Sequence, residues 1–199
     1  MAGAGYSSFT AGNVLTASQV NTYLMDQSVM RFATAAARTT ALPSPTEGMV
    51  TQLDDDNRIE AYDGSAWKIV YLPPTSYVPT ATNYTRSSGS FVYSVAGHTM
   101  TISGSIVVSA VSGAIQVGLP SGFTMSSLVG TTQTLGTSRF IVAGGFYHGT
   151  ARAQSTTSMR LMVYNAAATY VVENDCTNLV PATWASGNSF SVSATFPLA

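Results

Sequence analysis

Ser189–Pro197, SFSVSATFP, sets Phe190, Val192, Ala194 and Phe196 at alternate positions, with Ser191, Ser193 and Thr195 between them. A period of two with small hydroxylated residues on the second face is what a strand with one buried and one wet side requires. The same rhythm runs back through the second half of the chain. Phe91, Tyr93 and Val95 carry it, then Met100, Ile102, Ile106 and Val108 around Gly104, which suggests a bulge. Ile115, Val117 and Leu119 follow, and then Phe140, Val142 and Phe146. Eight or so such strands, punctuated by Gly and Ser and free of helical pattern, predict an antiparallel β-sandwich of jelly-roll type over residues 84–199.

Upstream the pattern changes. Residues 71–83, YLPPTSYVPTATN, hold three prolines and no charge, which predicts an extended linker. Residues 48–71 read as a small β-meander: an alternating strand from Met49, an Asx-rich turn at 54–57, a return strand, and a tight Asp63-Gly64 hairpin into Trp67. Three short strands have too little core to stand alone. Before them, Thr16 and Gln19 form a capping box that predicts a helix over about 17–38, ended by Pro43 and Pro45. At 100° per residue Val20, Tyr23, Leu24, Gln27 and Met30 share one face, and Met25, Val29 and Phe32 lie nearly opposite. A second apolar stripe has no use on a monomer's surface helix. Together with the 3,4 spacing of Val20, Tyr23, Gln27 and Met30, it predicts self-association through the first stripe.

Composition points the same way. Charged residues are 9% of the 199, against about 25% in ordinary soluble domains, so little charge keeps copies apart. The net charge of −1 offers no basic stripe to nucleic acid. Cys176 is alone, so no intrachain disulfide forms, and with His98 and His148 it makes no zinc spacing; a small buried hydrophobe is its expected role. No apolar run is long enough to insert in a membrane and the first residues carry no signal-peptide pattern, which predicts assembly in a cytoplasm.

Catalytic patterns are scarce, and no enzyme, metal or cofactor is expected. No nucleophile elbow, zinc-protease helix or phosphate loop occurs. The aspartates at 54–56 lack the spacing of a calcium loop. Beyond Asp63 the carboxylates are Glu173 and Asp175, a spacing open to glycoside hydrolysis but read here as a solvated turn. His98 is expected in a hairpin turn after Gly97, and His148 in a Gly-Phe-Tyr-His-Gly turn. Aromatic groups with a polar handle suit sugars and protein surfaces. Tyr147, His148, Tyr164, Asn165, Tyr170 and Trp184 are therefore the candidates for surface recognition.

The stretch FTAGNVLTASQVNTYLMDQSVMRFATAAART, followed by LPSPTEGMVTQLDDDNRIEAYDGSAW, resembles the N-terminal region of minor tail and fibre proteins of tailed phages infecting actinobacteria. Helix, Pro-x-Pro break and Tyr-Asp-Gly-x-x-Trp hairpin occur in the same order. The second half resembles the β-sandwich heads of trimeric phage fibres, with Leu119-Pro120-Ser121-Gly122-Phe123 like an element of such heads. The resemblance implies a homotrimer in a virion, joined to other virion proteins through residues 1–70 and meeting a host glycan or protein with its head. No collagen-like run or long coiled coil separates the two, which predicts a compact knob. A capsid, collar or baseplate decoration without receptor binding is the alternative.

Overall fold

The computed structural model describes residues 8–25, 27–165 and 171–199. The chain divides into two compact units, Met1–Pro73 with Val95–Gly97, and Pro74–Ser94 with His98–Ala199.

The first unit opens with the capping box: Thr16 Oγ1 accepts from Gln19 N at 3.2 Å, and Gln19 Oε1 accepts from Thr16 N at 2.9 Å. The single helix expected over 17–38 does not follow. Helix α1 is Ala17–Val20, Asn21–Met25 widens into a π turn, and Ser28 ends it by donating its hydroxyl to Met25 O at 2.9 Å. Strand β1, Val29–Phe32, then pairs in parallel with β2, Val50–Leu53, and Asp54 N extends the ladder to Phe32 O at 2.9 Å. Between them Thr34 caps a second helix, α2, Ala35–Ala41. The reason is tertiary. Val29, Met30 and Phe32 suit a pleated surface, and a strand partner gives them more than continued helix would. Val20, Tyr23, Leu24, Gln27 and Met30 therefore lie on four different local structures and form no common helical stripe.

The meander is present, with β2, β3 (Ile59–Tyr62) and β4 (Trp67–Tyr77) antiparallel in sequence order. Its centre is polar. The Arg38 guanidinium, 5% exposed, pairs with Glu60 and reaches Thr51 Oγ1 at 3.4 Å, all three buried, and lies over the Trp67 ring at 4.2 Å. Asp63 holds the β3–β4 turn, its Oδ1 accepting from Ser65 N at 2.9 Å and Ala66 N at 2.7 Å. Those bonds bring its carboxyl down to about 2.

The stretch 71–83 is not a free linker. Strand β4 continues to Tyr77 and β5, Ala81–Ala96, begins four residues later, with Leu72 buried. The second unit consists of β5, β6 (Thr99–Gly118), β7 (Thr134–Val142), β8 (Gly145–Ser155), β9 (Ser158–Asn165), β10 (Val172–Asp175) and β11 (Ser189–Pro197) among the described residues. The order β6-β11-β7-β8-β9 closes on itself, because the end of β6 pairs again with β9: Gln116↔Arg160, Val117↔Met159 and Gly118↔Ser158. Each pairing of this ring is antiparallel. A closed sandwich-like barrel of five strands accounts for them without the two separate sheets of a jelly roll.

One face of each strand fills the ring. Phe190, Val192, Ala194 and Phe196 stand opposite Ile106, Gly104, Ile102 and Met100 on β6, and Phe190 opposite Phe140 on β7. All but the glycine are buried. A ring this small demands tight curvature, which glycines on the inner face supply. A Cβ on Gly136 would lie 2.0 Å from Ser193 O, and one on Gly149 only 1.9 Å from Met162 O. Aromatic edges extend the core, from Phe190 through Phe91 and Tyr77 to Tyr93 and Phe123, with centroids 5.4 to 6.5 Å apart. Burial raises the Tyr77 phenol and pushes Tyr84 up to about 12.

Alternation misplaces one residue. Ala143 and Gly144, with φ of 50° and 78°, form a two-residue hairpin turn, and Phe146 emerges on the outer face, 63% exposed opposite Ile141. Arg139 covers its ring at 5.0 Å.

Three outcomes test these packings. Glu60→Leu should cost about 3–5 kcal/mol in urea unfolding by leaving Arg38 buried without its partner, and adding Arg38→Met should recover most of the loss. Gly149→Ala should lose about 1–3 kcal/mol through the backbone clash. An NMR titration should place the Asp63 midpoint at about 2. Its folded pKa is depressed, so its contribution to stability is complete above the ordinary carboxylate value and disappears as pH falls through the folded one.

Candidate functional site

Strand alternation carries the inner face to one mouth of the barrel at Tyr147 on β8 and at Val163 and Asn165 on β9. There it meets a fold formed by residues 176–184. Thr177 and Val180 bond each other's backbone at 3.1 and 3.3 Å, which turns the chain tightly and holds Leu179 outward, 65% exposed. Trp184 N donates to Asn178 O at 3.3 Å, and the indole packs edge-on against Phe140 at 6.2 Å. The result is a cleft of about 430 Å³ lined by Tyr147, Val163, Tyr164, Asn165, Leu179, Val180 and Pro181. Its volume lies within the range of small-molecule sites. Among the described residues no acidic or basic side chain lines it. Two phenols, an amide and apolar groups give it hydrogen-bonding and apolar surface side by side.

The sequence candidates are placed unequally. Tyr147, Tyr164 and Asn165 come together in the cleft. Trp184 is buried, with 8% of its surface exposed, and it anchors the 176–184 fold on Phe140. His148 is exposed but stands in strand β8 opposite Arg139, not in a turn, and alternation directs it away from Tyr147. The turn lies earlier, at residues 143–144. His98 does occupy the two-residue turn after Gly97. Tyr170 lies outside the described residues. Leu179, Val180 and Pro181 were missed because their segment carries no strand period.

Glu173 and Asp175 are not in a solvated turn. They sit on β10, whose partner is β9, with Glu173 opposite Tyr164 and Asp175 opposite Met162. Glu173 pairs with Arg152 and accepts from Thr150 Oγ1 at 2.7 Å, while Asp175 faces Arg160 Nη1 at 3.6 Å. Arg152 and Arg160 are themselves cross-strand neighbours, so the four charges form a ladder that fastens β10 to the barrel. Neither carboxylate lines the cleft. Next to Asp175, burial pushes the Cys176 thiol up, and it serves as a small core residue. Among the described residues no cluster of three metal-ligating side chains occurs, and no helix is long and apolar enough to cross a membrane.

The chain is thus a mainly β protein whose larger unit is a barrel with an uncharged cleft at its mouth. No known protein family matches it, and no curated protein does. A solved structure, that of the Dettilon tailspike protein (gp208), is similar over 63% of this chain with 17% identity and a TM-score of 0.43. The chain spans 24% of that protein's length.

Truncation separates support from surface. Trp184→Ala should lower stability by about 3–5 kcal/mol in thermal or urea unfolding. Tyr164→Ala, at a side chain 48% exposed, should stay within about 0.5 kcal/mol of the parent.

Proposed function

We propose that this chain is a structural and host-recognition protein of a phage virion, a short homotrimeric knob without catalytic activity. In this reading residues 1–70 join it to its copies and to other virion proteins, and the mouth of the barrel meets the host surface. The observation that carries the reading is the apolar surface that one copy leaves wet in the first unit. Val14 is 90% exposed, Val29 60%, Met25 50% and Leu24 46%. Val20, Tyr23 and Met30 are half-buried, with Phe9 against Tyr23 at 6.2 Å. In a chain with so few charges, such residues are best accounted for by burial against further copies.

The likeness of residues 9–70 to phage tail and fibre proteins adds the virion setting. The assembly surface is then irregular, built from a turn and a strand rather than from a helical axis. The barrel contributes a cleft whose aromatic and amide groups suit recognition, while Glu173 and Asp175 are held in ion pairs away from it.

Light scattering of the full chain should give a mass about three times 20.7 kDa. Val20→Asp combined with Met30→Asp should dissociate the assembly or prevent its recovery, because buried charges at the interface would have no partners. A monodisperse monomer of the parent chain overturns the trimer. Saturable binding of the full chain to actinobacterial cell walls, weakened by Tyr147→Ala, supports recognition, and absence of binding favours a decoration role. Release of reducing ends from wall polysaccharide that disappears on Glu173→Gln with Asp175→Asn would make the protein a depolymerase instead.

A further inference from the structure

At the other end of strand β9 from the Tyr147 cleft lies a second concavity of about 370 Å³. The two are separated by the length of β9 from Ser158 to Asn165, about 23 Å at the usual rise of a strand. The second one sits over the seam where β6 and β9 close the barrel. Gln116 and Ser158 face outward there, and residues 80–82 and 119–123 form the walls. The backbone holds these walls closely: Gly118 N donates to Thr80 O at 3.0 Å and Leu119 N to Thr157 O at 2.9 Å. A Cβ at Gly118 would lie 3.0 Å from Thr80 Cβ, a contact tight enough that Thr80 would have to give by a few tenths of an ångström. Residues 120–123 make a type II turn, with Phe123 N on Pro120 O at 3.3 Å and Gly122 at φ 87°. The turn brings the Phe123 ring to the cleft, backed by Tyr93 at 5.5 Å.

The polar groups of this cleft have unused hydrogen-bonding capacity. The side chains of Thr80, Thr82, Gln116 and Ser121 line it and make no hydrogen bond within the described chain, and no ionisable side chain lines it. We infer that it is a second binding site, separate from the mouth of the barrel, and that its ligand is an uncharged carbohydrate. Hydroxyls and an amide each both donate and accept, which is what sugar hydroxyls require in return. A single aromatic ring gives the apolar face of a sugar a platform. An anionic ligand would find no cation in the lining among the described residues, and Arg160, opposite Gln116, is engaged by Asp175 at 3.6 Å. A purely apolar one would desolvate four polar side chains without replacing their bonds to water.

The test uses the full chain and neutral hexasaccharides of glucan, mannan and galactan, with oligogalacturonate as the anionic control. Binding is read by saturation-transfer NMR and titration calorimetry. At least one neutral hexasaccharide should bind, with an affinity that does not change between about 50 and 500 mM salt. Thr82→Val with Gln116→Leu and Ser121→Ala should weaken it at least about tenfold while the melting temperature stays put. Should that variant not fold, Ser121→Ala alone, at an exposed turn position, should weaken it in the same direction. Leu128→Ala, at a position 89% exposed and outside both clefts, should bind as the parent does. The proposal is overturned if no neutral hexasaccharide binds, if oligogalacturonate binds better, if the folded variant binds unchanged, or if Leu128→Ala removes the signal.

Discussion

Strand β6 is the constraint on which the larger unit depends. It is 20 residues long and hydrogen-bonds to β11 along its first half and to β9 at its end. No flat strand can serve both partners. Its buried positions are accordingly even-numbered up to Val108 and odd-numbered at Ile115 and Val117, with residues 109–114, none of them buried, between. That change of phase turns the strand across the barrel. Once β9 is joined, the five strands of the ring satisfy one another's backbone groups, and no edge remains between β7, β8 and β9 on which another chain could add.

The charges of this protein act mostly within it. Arg31, Arg38, Arg58, Lys68, Arg152 and Arg160 each pair with a carboxylate, Arg86 donates to Gly89 O at 2.7 Å, and Arg139 lies over Phe146. The Arg38–Glu60 pair specifies how α2 meets the meander, and the Arg152–Glu173 and Arg160–Asp175 ladder fixes β10. The two clefts of the larger unit are neutral in their lining among the described residues: phenols and an amide at one end of β9, and hydroxyls at the other. With a net charge of −1, the chain offers little long-range electrostatic steering.

Much of the candidate site was legible, but not its grouping. Tyr147, Tyr164 and Asn165 are conspicuous in sequence as aromatic and amide residues among small ones. Trp184 is equally conspicuous and is buried, because an indole has as much reason to fill the space beside Phe140 as to meet a ligand. His148 shows the same limit from the other side. A strand displays both faces in sequence with equal weight, and only the hairpin at residues 143–144 decides which is which.

By itself the sequence determined the β rhythm of the second half, the meander, the capping box at Thr16 and the low charge, since these depend on local period and composition. The tertiary structure decided the rest. It turned residues 29–32 from helix into a strand, because pairing with Val50–Leu53 outweighs local preference. It drew the supposed linker into β4 and β5, and it placed Arg38 in a core. Closure of the barrel was also its decision, because pairing between residues forty or more positions apart leaves no periodic trace in the chain.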